Sequence, residues 1–118
     1  MRGLALRALG LDLLAVLLFA AIGRRSHAEG LTAGGVLVTA WPFAVGTLAG
    51  WAASRGWRAP TSVRATGAPV WLVTVALGML LRRLTGAGTA VSFVSVATIV
   101  LAVLLIGWRA VARRLARP

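Results

Sequence analysis

From Leu31 to Ser54 the chain runs 24 residues without a charged side chain, and from Leu84 to Trp108 it runs 25. A helix rises about 1.5 Å per residue, so each run can cross a hydrocarbon layer of about 30 Å. Ala65 to Leu81 adds 17 uncharged residues, just sufficient, with Pro69 suited to the first helical turn. Ala8 to Gly23 supplies a fourth candidate, interrupted only by Asp12. In lipid the backbone must satisfy its own hydrogen bonds, and helices do so segment by segment. The expectation is an all-α integral membrane four-helix bundle in one transmembrane domain, with helices near 5–24, 31–54, 67–83 and 89–112. Two tandem helical hairpins are one form that such a bundle could take.

Composition narrows the chemistry. Hydrophobic residues make up 59% and charged residues 13% of the 118 residues, too apolar a surface for water to cover. All 13 basic residues are arginine, against the two acids Asp12 and Glu29. The arginines cluster between apolar runs, where they mark membrane edges rather than a nucleic-acid footprint. The chain has no Cys, Lys, Tyr, Asn or Gln and a single His. Thiolate and Schiff-base chemistry are therefore excluded, and neither a metal site nor a cofactor is expected. The reading is non-enzymatic.

The first segment has features of a signal peptide: Arg2 and Arg7, an apolar stretch, then Ser26-His27-Ala28 as a small-x-small site. Asp12 breaks that stretch, however, and Arg24 and Arg25 stand before the small residues, which favours a retained helix. Arg2, Arg7, Arg55, Arg58, Arg64, Arg109, Arg113, Arg114 and Arg117 then fall on one side of the membrane. Arg24, Arg25, Arg82 and Arg83 fall on the other. Nine against four places both termini in the cytoplasm of a plasma-membrane protein. Trp51, Trp57, Trp71 and Trp108 lie near the inner face, as an aromatic belt would. A weak repeat fits the hairpin form: Arg24-Arg25 with Gly30 parallels Arg82-Arg83 with Gly88, and Gly50-Trp51 parallels Gly107-Trp108.

Asp12 lies about 18 Å along the helix from Arg24, inside the membrane, where an ionised side chain is costly unless paired. Arg7 points to another side of the helix. Arg109, closing the fourth helix at the same face, is the better partner. A structural Asp12–Arg109 pair, a snorkelling acid and a proton or cation site are all compatible with this position. On the outer face, Arg24, Arg25, His27, Arg82 and Arg83 could anchor to lipid phosphates or clamp an anion. Trp41-Pro42-Phe43 falls near mid-membrane, where a proline-bent helix could shape a pocket. Gly46 and Gly50, one turn apart, permit close helix contact, and Ser92, Ser95 and Thr98 form a small polar stripe.

Gly23-Arg24-Arg25-Ser26-His27, Ala40-Trp41-Pro42-Phe43, the Gly67, Trp71, Gly78, Arg82 series and Gly107-Trp108-Arg109 together resemble domain of unknown function family 3054. That family comprises short bacterial and archaeal membrane proteins with four predicted helices. The resemblance spans nearly the whole chain, implies the four-helix architecture and implies no activity. Size and the helix-1 acid are also similar to small multidrug resistance exporters. This chain departs from them in its edge-placed Asp, its lack of Tyr and its strong charge bias. The expected partner is the lipid bilayer, with self-association into a homo-oligomer open and nucleic acid not expected. A structural or accessory subunit is the leading role, and a small transporter or channel using Asp12 or the outer arginines is its rival.

The topology is testable because the chain lacks cysteine. Cysteines introduced at Ser26 and Thr85 should react with an impermeant thiol reagent added outside, and those at Ser62 and Ala116 should not. The opposite pattern would reverse the orientation.

Overall fold

The computed structural model describes residues 2–25, without the Arg25 side chain, and 31–116. Within them, four helices are long and apolar enough to cross a membrane. α1 spans Arg2–Arg25 and α2 spans Ala33–Ser54. A 3-10 turn at Gly56–Arg58 and a π turn at Val63–Gly67 lead into α3, Ala68–Leu84. The fourth span is continuous but changes winding: α4 at Val91–Leu101, a π turn at Ala102–Ile106, then α5 at Gly107–Leu115. α1 thus starts earlier than the charge pattern suggested, and the fourth span ends later. Both extensions carry arginines (Arg2, Arg113, Arg114) that the charge-free criterion had cut away. The molecule measures 47 × 24 × 24 Å, its long axis close to a bilayer with its headgroups, about 40–45 Å.

Local chemistry sets the ends. The Thr32 side chain accepts a hydrogen bond from the Gly35 amide at 3.0 Å, capping α2. α2 stops at Arg55, whose φ of 53° turns the chain into the left-handed region. Ser62 caps the following π turn through the Ala65 amide at 3.0 Å. Pro42 lies inside α2, which stays helical on both sides of it.

Small residues are concentrated where helices meet most closely. On α1 the buried positions are Ala8, Asp12, Ala15, Val16, Phe19 and Ala20, which form one helical face. Leu6, Leu11, Leu14, Leu17 and Leu18 point outward. Small residues let backbones approach, and leucine is as comfortable in lipid as in a core. The tightest seam lies between α2 and α3, across the boundary of the two sequence hairpins. A Cβ at Gly46 would fall 2.8 Å from the Thr74 Cα, and one at Gly50 would fall 2.9 Å from the Val70 Cα. At this seam the Thr47 and Thr74 hydroxyls share a buried hydrogen bond of 2.9 Å. Further along, Gly78 leaves room for the Phe43 ring, which meets Phe19 edge-on at 5.0 Å between centroids.

Replacing Gly46 by Ala should therefore force the α2 and α3 backbones apart and cost about 1–3 kcal/mol. Gly10→Ala, where a Cβ meets nothing within 4 Å, should be neutral or stabilising. Thermal unfolding in mild detergent, followed by circular dichroism, distinguishes the two.

Candidate functional site: a closed ionic cluster

The structure brings Asp12 and Arg109 together in a two-pronged salt bridge with no solvent exposure on either side chain. Arg109 Nη1 donates to Oδ1 at 2.8 Å and Nη2 donates to Oδ2 at 2.7 Å. This parallel fork is the strong geometry for a guanidinium and a carboxylate. Two indoles complete the acid's surroundings. Trp51 Nε1 donates to Oδ2 at 2.7 Å, and Trp108 Nε1 donates to Oδ1 at 2.8 Å. Each carboxylate oxygen thus accepts two hydrogen bonds.

The arginine is held as firmly. Its Nε donates to the Pro60 carbonyl at 2.9 Å, and Nη1 also donates to the Leu105 carbonyl at 2.9 Å. Its guanidinium lies 4.6 Å from the centroid of the Trp108 ring, within cation–π range. Gly67 is tight against it, since a Cβ there would come within 3.0 Å of the Arg109 Cδ. The α2–α3 connection is folded to present the Pro60 carbonyl: the Thr66 hydroxyl donates to the Ala59 carbonyl at 2.7 Å, and Gly56 packs on the Trp51 ring. Groups from α1, α2 and the fourth span therefore meet at the carboxylate, and the α2–α3 connection holds the guanidinium that pairs with it.

The π turn explains how Arg109 reaches it. In an unbroken α-helix the twelve residues from Ala97 to Arg109 would leave the arginine about 120° from the buried face. Absorbing one extra residue in the turn reduces that offset to about 20°. Ala97, Leu101, Leu105 and Arg109 then all lie on the buried side.

The remaining sequence candidates are dispersed. Phe43 is fully buried and Pro42 is enclosed, while Trp41 is 42% exposed on the outer surface. These three residues divide between the core and the exposed surface, with the Phe43 ring packed on Gly78 and Phe19. At the far end Arg24 reaches across to Gly35 on α2, where a Cβ would overlap its guanidinium. Arg82 turns instead to Phe93 on α4, with 4.2 Å from guanidinium to ring centroid, and Arg83 is exposed. Arg24 and Arg82 thus face different neighbours. The Arg25 side chain and His27 lie outside the described residues, as does Glu29. Among the described residues, no three His, Cys, Asp or Glu side chains group to hold a metal.

The tryptophans are the residues whose roles sequence reasoning missed. Of the four tryptophans expected in the belt, Trp57, 54% exposed, is the one left at the surface. Trp71 Nε1 donates to the Thr98 carbonyl at 2.9 Å, tying α3 to α4. The overlooked signal was the repeated Gly-Trp pair, since both copies converge on Asp12.

Residues 9–112 match the family described as "Protein of unknown function (DUF3054)". The chain belongs to that family. The matched span in this DUF3054 chain includes every residue of the ionic cluster, from Asp12 to Arg109. No curated protein and no solved structure matches the chain.

The indole donors can be tested singly. Trp51→Phe and Trp108→Phe each keep an aromatic ring and remove one hydrogen bond to a charged group, with a loss of about 1.5–3 kcal/mol. Trp51 is 6% exposed and Trp108 is only partly buried, so water can replace the second donor more easily than the first. Unfolding in detergent should show the larger loss for Trp51→Phe.

Proposed function

We propose that this chain is a non-enzymatic structural or accessory subunit of the cell membrane, whose Asp12–Arg109 cluster fastens the bundle instead of carrying a substrate. The observation that supports this reading is saturation: both oxygens of Asp12 already accept two donors each. A carrier carboxylate must exchange partners with a proton or cation. Here four N–H donors from three residues would have to withdraw first. Removing one partner of a buried pair leaves an uncompensated charge, which typically costs about 3–5 kcal/mol.

The rival reading, a small transporter, makes the opposite demand on the same residue. Asp12→Asn should lower the thermal midpoint in detergent by the equivalent of about 3 kcal/mol, because Arg109 stays buried without its anion. The double variant Asp12→Asn with Arg109→Gln should recover part of that loss. An Asp12→Asn protein as stable as the parent, yet devoid of a pH-driven flux that the parent performs in proteoliposomes, would overturn the proposal and establish transport.

A further inference from the structure

Where α1 ends and α4 begins, a cavity of about 410 Å³ opens between Gly23, Arg82, Ser92, Phe93 and Val96. It lies at the opposite end of α1 from the residues that meet Asp12. Arg82 is fixed there by two contacts. Its guanidinium sits over the Phe93 ring at 4.2 Å, and its Nε donates to the Gly88 carbonyl at 2.9 Å. Those contacts use one face and one edge of the group. Among the described residues no group accepts from Nη1 or Nη2, so the two contacts set the orientation of the fork and leave its two-pronged edge to face the cavity. The exposed Ser92 lies on the same cavity wall, and Val96 and Phe93 give that wall an apolar side.

We infer that this cavity binds a phosphate oxyanion, supplied by the headgroup of a membrane phospholipid. A planar fork with fixed orientation matches two oxygens of a phosphate, and little side-chain freedom is left to lose on binding. Depth favours the lipid source, since Arg82 stands in the last turn of its span, at the level where phosphodiesters lie. The apolar wall beside the arginine suits the first part of an acyl chain. The inference is independent of the role given to Asp12, because no residue is shared between the two sites.

The test uses full-length protein, delipidated in mild detergent and titrated with short-chain phosphatidylglycerol, with lipid adducts counted by native mass spectrometry. Inorganic phosphate and the matching diacylglycerol serve as separate arms. The parent should retain a single phosphatidylglycerol and no diacylglycerol. Arg82→Gln should weaken binding about tenfold, the loss of a charge-assisted pair of hydrogen bonds. Arg82→Lys should also weaken it, because the fork is gone. Arg83→Gln, the same charge change on an exposed neighbour, should leave binding unchanged. Val96→Trp, which fills the cavity and keeps every charge, should abolish binding and covers the case in which the Arg82 variants fail to fold. Equal losses for Arg82→Gln and Arg83→Gln would reduce the site to nonspecific attraction and overturn it. Retained binding in a folded Arg82→Gln or Val96→Trp protein would do the same. Inorganic phosphate binding as tightly as the lipid would overturn the lipid assignment and leave a site for the free ion.

Discussion

A carboxylate shut away from solvent is tolerated only where other groups take over the work of water, and that constraint organises this bundle. Asp12 receives two N–H groups from Arg109 and one each from Trp51 and Trp108. Arg109 needs further acceptors of its own, which come from the Pro60 and Leu105 carbonyls. The 3-10 turn after α2, the π turn before α3 and the π turn within the fourth span all serve this geometry. Each places a group against the cluster: Gly56 against the Trp51 ring, Gly67 against the Arg109 side chain, and the Leu105 carbonyl on Nη1.

Away from the cluster, cohesion comes from contact more than from charge. Lipid offers no hydrophobic driving force for helix association, so close approach must supply it. Gly46 and Gly50 bring α2 against Thr74 and Val70, and the Thr47–Thr74 hydroxyl pair removes two polar groups from lipid at the same seam. Phe19, Phe43 and Phe93 fill the volume beyond it, with the second and third of them 6.2 Å apart. The two halves of the bundle are therefore joined through α2 and α3 by packing and through α1 and the fourth span by charge.

The four spans were legible in the sequence because charge-free runs report directly on the solvent. The partnership of Asp12 with Arg109 was legible as well, since depth in the membrane puts them at one face. Rotational position was not. In water, polar residues mark the outside of a helix, but here Leu14 outside and Val16 inside carry the same chemistry. The π turn at Ala102–Ile106 is written in apolar residues that would serve equally in an α-helix. Trp51 and Trp108 sit at a depth where interfacial tryptophans are ordinary, which hid their role as donors. Arg24 and Arg82, matched in sequence position, rise on helices that turn them to α2 and α4 respectively, a rotational difference their spacing does not encode.

The span of 97 residues between Asp12 and Arg109 bears on how the chain is made. Translation delivers the acid with the first helix and its counter-charge only with the last. Of the four donors that the acid receives, α2 supplies only the Trp51 indole, and the other three arrive with the fourth span. Assembly cannot be completed hairpin by hairpin. The cluster is complete only with the fourth span, so a chain that stops short of Arg109 leaves the carboxylate without its counter-charge.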